Sequence, residues 1–420
     1  MIEVAEYELR RNKLYDLLKP NSIAILFAGV SRKSTNDECF DFEPNRSFYY
    51  LTGIKQENSV VLLAKTETGN HTYLFIDEKN PNIEKWYGIK MSCEEANKIS
   101  GIENILFTNA LNAKLEMILG NGMTHFGLIS NLYVDKEEDL LIGNGLNTVS
   151  FAESLNRTYS SLNVLDVHPH MCNLRMIKSK AEIEMIKDAI NTTELGLNKV
   201  LKEIKDGNAK TEYNLRNAFE CTIKDDGNST LAFHSIVAAG KNGVILHYPS
   251  AEGTLGKKDL VLLDVGAAKD YYNADISRTY PVSGKFTEIQ KKIYSIVLEC
   301  QKVCIGFLRP GITLKEYKDF ARDFLAEECF AKGLIESKDK IGDVYYHGVG
   351  HHLGLDTHDQ CDMNAPLAPG MVLTCEPGLY FKDYEIGIRI EDDILITEDG
   401  SECLSQNIIK SIEELESLLA

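Results

Sequence analysis

Apolar residues recur in two rhythms along this chain. Short apolar runs bounded by turn residues alternate with longer stretches of helical spacing, and each rhythm predicts its own element. Glu3 to Leu18 reads as an amphipathic helix stopped by Lys19-Pro20, with shorter helices over Glu94 to Ile99 and Ala113 to Ile118. Ser22 to Ala28, Val60 to Ala64 and His71 to Ile76 read as strands. This alternation predicts an α/β domain over 1–168, a sheet with helices packed against it. Within it, Phe42 to Gly53 is dense in aromatic side chains, the composition of a core or an interface.

A boundary is expected at His168-Pro169, leaving 169–420 as a second domain. Ser179-Lys-Ala-Glu182 has the form of a capping box, in which hydroxyl and carboxylate each satisfy an orphan amide. A helix to Ile204 follows, with Ile183, Ile186, Ile190, Leu197 and Leu201 at helical spacing, and Asp206-Gly207 stops it. Thr211 to Lys224, Glu288 to Phe307, Leu314 to Lys332 and Ile412 to Leu419 read as further helices. Strands are predicted over Ser235 to Ala239, Val244 to Tyr248, a hairpin from Leu260 to Thr279, and Gly- and Pro-punctuated runs after Lys332.

Bulk properties narrow the class. A chain of 420 residues, 44% hydrophobic and 26% charged, suits a soluble globular protein of two or three domains. The net charge of −18 argues against nucleic acid or an anionic membrane as partner. No apolar run approaches the ~18 residues of a membrane span. The N-terminus, Met-Ile-Glu-Val-Ala-Glu, lacks the positive start and apolar core of a signal peptide. Ten cysteines without C-x-x-C spacing suit reduced thiols, and a cytoplasmic location is expected. Cys300 and Cys304, one helical turn apart, are expected to pack a core.

One stretch breaks the apolar pattern. Leu-Val-Leu-Leu-Asp264-Val-Gly begins as a strand buried on both faces yet carries a carboxylate, and Asp275 follows in Asn-Ala-Asp-Ile-Ser-Arg-Thr. Asp is almost never fully buried unless paired or bound to a cation. With Lys269 and Asp270 as a two-residue loop, Asp264 and Asp275 would stand directly opposite, where like charges repel unless a positive ion lies between them. Further acids are set in apolar surroundings. Met371-Val-Leu-Thr-Cys-Glu376-Pro-Gly ends a strand on a carboxylate, and Gly387-Ile-Arg389-Ile-Glu391 puts an arginine and a glutamate on one strand face. Tyr346-His347-Gly-Val-Gly-His351-His352 to His358 holds four of the ten histidines, and its glycines argue against a metalloprotease H-E-x-x-H helix. Four carboxylates and one imidazole form a hard, oxygen-rich set whose charge balances two divalent ions. Mn²⁺ suits it best, with Co²⁺ or Zn²⁺ as alternatives, and the chemistry is metal-assisted hydrolysis.

Asp264-x10-Asp275, His-Gly-Val-Gly-His351, Glu376-Pro-Gly and Arg-Ile-Glu391 resemble the signature of the pita-bread metallopeptidases, over roughly 175–400. Asn45-Arg-Ser-Phe-Tyr-Tyr-Leu-Thr-Gly is similar to the N-terminal domain of the aminopeptidase P branch. The resemblance implies a curved antiparallel sheet cradling two metals in an α+β C-terminal catalytic domain. It implies that Asp264 chelates one ion, that Asp275 and Glu391 bridge both, and that His351 and Glu376 hold the other. Glu376 would also be general base as a bridging hydroxide attacks the carbonyl. His247 matches a substrate-side histidine, His347 and His358 match residues that hold substrate and oxyanion, and Arg389 would orient Asp264. His234 and His352 match no functional position, and a structural role is expected for both. The implied substrates are peptides with proline second, and the implied assembly is a homodimer, for which the aromatics near 48–50 offer an interface. A prolidase restricted to dipeptides is the alternative. The segment between Glu376 and Arg389 argues against it, since Lys382 is its only cation. A non-catalytic or metal-free relative would have lost ligands, and here all five positions are filled.

Overall fold

A computed structural model describes residues 2–120, 125–136 and 147–420. The chain divides into two compact units, Ile2–Leu174 and Arg175–Ala420. The division falls inside a helix, α7 (His168–Met176), rather than at the His168-Pro169 step where that helix begins.

The first unit is built on one six-stranded sheet. Its strands are β1 (Ser22–Phe27), β2 (Val60–Thr66), β3 (Gly69–Ile76), β4 (Asn104–Phe107), β5 (Asn131–Val134) and β6 (Asn163–Asp166), in the order β4-β3-β2-β1-β5-β6. The pairs β1/β2 and β2/β3 are antiparallel, while β3/β4, β1/β5 and β5/β6 are parallel. Around it run α1 (Val4–Leu17), α2 (Arg46–Thr52), α3 (Pro81–Tyr87), α4 (Cys93–Ser100), α5 (Leu111–Leu119) and α6 (Thr148–Thr158). One face of the sheet buries Ile23, Ile25, Leu62, Phe75 and Leu132 against Leu115, Ile118 and Phe151. The aromatic stretch is α2, and Phe48, Tyr49 and Tyr50 are buried. Arg10 stacks on the Tyr50 ring at 4.2 Å and donates to its carbonyl. These rings therefore pack the protein's interior and are not exposed for a partner.

The second unit opens with α8 (Lys180–Lys205), whose Ser179–Glu182 capping box is formed in both directions. Next come α9 (Glu212–Lys224), β7 (Ser229–Leu231) and β8 (Ile236–Ala239), then the hairpin strands β9 (Leu260–Val265), β10 (Ala267–Lys269), β11 (Tyr272–Asn273) and β12 (Ile276–Pro281). Two helices follow, α10 (Glu288–Phe307) and α11 (Leu314–Ala331). The chain closes with β13 (Val372–Cys375), β14 (Gly378–Phe381), β15 (Ile386–Arg389), β16 (Asp392–Ile396), β17 (Ser401–Cys403) and α12 (Ile412–Leu419). Every strand pairing in this unit is antiparallel. The ten cysteines are unbridged, and Cys300 and Cys304 are buried with their sulfurs 3.8 Å apart. No helix among the described residues is long and apolar enough to cross a membrane.

Three expectations are corrected here. The hairpin loop is Asp270-Tyr271, both at positive φ as a type I′ turn demands, because Lys269 is already paired with Tyr272. Asp264 consequently faces Ser277 across the ladder, and Asp275 lies diagonal to it. Val244 to Tyr248 is not a strand. Gly240–Val244 forms a 3-10 turn, and a Cβ on Gly387 would come 1.8 Å from the Gly243 carbonyl oxygen, so backbone packs on backbone there. Last, the strand expected to carry both Arg389 and Glu391 breaks at Ile390-Glu391, and the Glu391 N–H donates instead to the carbonyl of Ser277 on β12.

Candidate metal centre

The five candidate ligands singled out from the sequence come from five places in the second unit. Asp264 is the penultimate residue of β9, Asp275 sits between β11 and β12, Glu376 follows β13, and Glu391 occupies the break between β15 and β16. His351 lies on an irregular segment, held because its N–H donates to the Thr374 hydroxyl and its carbonyl accepts from the Thr374 N–H. One donor atom from each of Asp275, His351 and Glu391 falls within 4.8 Å of the others. Glu376 borders this trio, its Oε1 3.7 Å from Nε2 of His351, while Asp275 Oδ2 stands 3.4 Å from that nitrogen. Asp264 is close enough for its charge to push up Asp275, Glu376 and Glu391 alike.

Burial grades across this cluster. Asp275 and Glu391 form a buried floor, Asp264, His351 and Glu376 are half-buried, and His358 and His247 are exposed. His358 lies over His351 with ring centroids 3.9 Å apart. The charge of His247 is felt by both His347 and His358. All the predicted site residues therefore gather in one place.

The electrostatics of the cluster are those of a site short of positive charge. Burial pushes the Asp275 carboxyl up to about 6, with His351 pulling down and Asp264 pushing up. Burial likewise raises Glu376 to about 7 against the pull of His351 and Arg389. Glu391 is held well above the carboxylate range by burial and then by Asp275, Glu376 and Asp264. Burial alone would lower His351, but its bond to Asp275 and the charges of Asp275 and Glu376 raise it to about 9. Oδ1 of Asp264 and Oδ1 of Asp275 are buried and accept no hydrogen bond. Buried carboxylate oxygens of this kind are costly unless a cation or a proton meets them. The His351 Nδ1–H donates to the His352 carbonyl (3.0 Å), which leaves Nε2 turned toward the carboxylates as a ligand nitrogen must be. The residues fit divalent metal ions.

A supporting network surrounds them. Arg389 donates through Nη2 to Asp264 (2.5 Å), through Nε to Ser277 Oγ (2.7 Å) and through Nη1 to the Tyr380 hydroxyl (3.0 Å). Ser277 in turn donates to Glu391 Oε2 (2.7 Å). Nδ1 of His347 lies 2.6 Å from the Gly348 carbonyl and so carries the proton, and Nε2 accepts from Tyr380 (2.9 Å). Burial, then Arg389, lowers His347 to about 3, so the ring is neutral. Sequence reasoning missed Ser277 and Tyr380, since a serine or a tyrosine in a strand interrupts no pattern. Of the two unassigned histidines, His352 is buried and lends its carbonyl to His351, and Nε2 of His234 lies 3.0 Å from the Pro249 carbonyl.

Residues 184–398 match the profile of metallopeptidase family M24, and 7–125 match that of the aminopeptidase P N-terminal domain. The Xaa-Pro aminopeptidase of Escherichia coli is 31% identical over 99% of this chain and 97% of its own. The chain belongs to the aminopeptidase P branch of metallopeptidase family M24. Solved members of that branch share the fold over the whole length. A Bacillus anthracis chain provisionally assigned as an aminopeptidase P superposes with a TM-score of 0.93 at 40% identity, covering 100% of this chain and 98% of that one. Zinc-substituted Escherichia coli aminopeptidase P in complex with product gives 0.89 at 30% identity over the same shares. The M24 match coincides with the second unit, where the acidic cluster lies.

Proposed function

We propose that this aminopeptidase P-branch protein removes the first residue from peptides with proline in second place, at a site holding two divalent ions. The observation that carries this reading is the convergence of Asp275, His351 and Glu391 within 4.8 Å. Relatives that match over 97% of their own length and carry the Xaa-Pro aminopeptidase name support it. Asp264, Asp275, His351, Glu376 and Glu391 would hold the ions. Manganese suits this oxygen-rich set, with cobalt and zinc as alternatives. When bound, such ions polarise a carbonyl and bring the pKa of water toward neutrality.

The chain's own residues supply the rest. Glu376, half-buried and raised toward neutral pH, is suited to take a proton at the reacting centre and return it to the leaving amine. His358 and His247, on the exposed side of the cluster, would meet the substrate carbonyl and its developing oxyanion. His347, neutral and fixed by Tyr380 and Gly348, would hold the substrate beside Glu376. Arg389 keeps Asp264 aimed. An Xaa–Pro bond offers no N–H for a peptidase to grip, which this site does not need. Lys382, the only cation between Glu376 and Arg389, is exposed in a short 3-10 turn, so that segment contributes no buried clamp for a dipeptide carboxylate.

Ala-Pro-Ala and Ala-Pro compared as substrates test the specificity. The tripeptide should be cleaved, and turnover of the dipeptide alone would make the protein a prolidase. Elemental analysis should find two equivalents of divalent metal. Asp275→Asn should lose metal and at least ~10³-fold in kcat. Unchanged activity in a metal-free preparation would overturn the reading. We further propose a cytoplasmic homodimer. Exposed Trp86 (83%), Tyr87 (78%) and Ile89 (82%) support self-association, which sedimentation equilibrium would measure.

A further inference from the structure

We propose that Glu212 is a positioning residue that holds the His247 loop at the metal centre. The inference rests on reading His247 as a substrate-side residue.

Glu212 is the first residue of α9 and is fully buried. Its Oε1 accepts from the Ala239 N–H (2.6 Å) and from Nδ2 of Asn242 (2.9 Å), and its Oε2 accepts from the Gly253 N–H (2.6 Å). Its own N–H donates to the Gly253 carbonyl (2.9 Å). Ala239 ends β8 where the loop departs, and Gly253 is where it returns. One carboxylate thus ties both ends of the segment that carries His247. The capping of α9 does not depend on it, because Thr211 and Asn214 already form a complete box. All three of these bonds come from neutral N–H donors, and a carboxylate buried on such terms is costly unless the geometry it enforces is needed.

Glu212 joins the two ends of a loop whose apex carries His247. His247 is exposed, so the backbone alone decides where its ring lies. Further ties act on that backbone rather than on the ring. Tyr346 donates to the Val244 carbonyl (2.7 Å), and the Tyr248 oxygen accepts from Asn242 (3.1 Å) and from the Glu252 N–H (3.3 Å). A Cβ on Gly253 would fall 2.7 Å from the Glu212 carboxylate, which is why the returning strand can approach so closely. Loss of the clamp lets the two ends part, and a shift of about 1 Å at a substrate-positioning group is worth up to ~10²-fold in rate.

A double-mutant cycle with Ala-Pro-Ala as substrate tests the assignment. Glu212→Gln removes one acceptor oxygen and turns an amide N–H toward a backbone N–H. It should lower kcat/KM by about 10–100-fold while metal stoichiometry and metal affinity stay at the parent values. In a His247→Ala background the same substitution should cost less than about twofold, because the group it positions is gone. An equal loss in both backgrounds, or no loss in the parent, overturns the role of Glu212 and leaves the proposed activity standing. A His247→Ala protein with parental kcat/KM overturns the reading of His247 itself. Should Glu212→Gln fail to fold, Asn242→Ala, which removes one of the three bonds from a half-buried position, is carried through the same cycle with the same criteria.

Discussion

Ser277 shows how much of this centre is carried by residues that bind nothing themselves. Its hydroxyl accepts from Arg389 and donates to Glu391, and Arg389 also grips Asp264, so one serine links two of the proposed ligands. Ser277→Ala leaves a buried guanidinium N–H and a carboxylate oxygen without partners. Calorimetric titration with Mn²⁺ should show affinity lower by about 10–100-fold, with activity recovering at high metal concentration. Unchanged affinity would remove Ser277 from the network. The five acids and imidazoles proposed as ligands were legible in the sequence because each interrupts an apolar or glycine-rich run with a group that burial penalises. Ser277 and Tyr380 were not, because hydroxyl residues are ordinary in strands and only the folded contacts distinguish them.

At the level of elements, the hairpin from β9 to β12 determines whether the two aspartates meet. Placing the turn at Asp270-Tyr271 sets Asp264 opposite Ser277, yet Asp264 and Asp275 still sense each other as diagonal neighbours. The crossing point is Gly266, where an added Cβ would lie 1.9 Å from the Ala274 carbonyl oxygen. Backbone cannot yield as a side chain can, so Gly266→Ala should destabilise the protein by about 3 kcal/mol. Urea denaturation would measure that loss, and metal affinity should fall with it, since Asp275 follows Ala274 directly. Helices α8, α10 and α12 were placed from sequence within a residue or two because their start signals, a Ser or Thr cap before the apolar repeat, are local. Register and strand breaks were not. The turn residue and the departure of Glu391 onto β12 depend on which strands lie alongside.

For the whole molecule, metal and protons compete for the same groups. In the metal-free protein Asp275 is raised to about 6 and Glu376 to about 7, above the ~4 of an unfolded carboxyl. The folded state then holds protons that the unfolded chain releases, so these groups cost stability as pH rises from about 4 to 7. His351, raised to about 9, adds a contribution that is complete below ~6.5 and lost as pH rises through 9. A divalent ion replaces those protons. The gain in Tm on adding Mn²⁺ should therefore be small at pH 5 and grow toward pH 8.5, and a gain that shrinks with pH would contradict the ligand set. By itself the sequence determined the two-part organisation, most helices, the family and which acids and histidines are candidate ligands. Those features follow from local periodicity, capping chemistry and the cost of burying charge. Tertiary structure alone decided the register that sets Asp275 diagonal to Asp264, the network through Ser277 and Tyr380, and the Glu212 clamp on His247. These rest on contacts between segments distant in sequence, which no local pattern encodes.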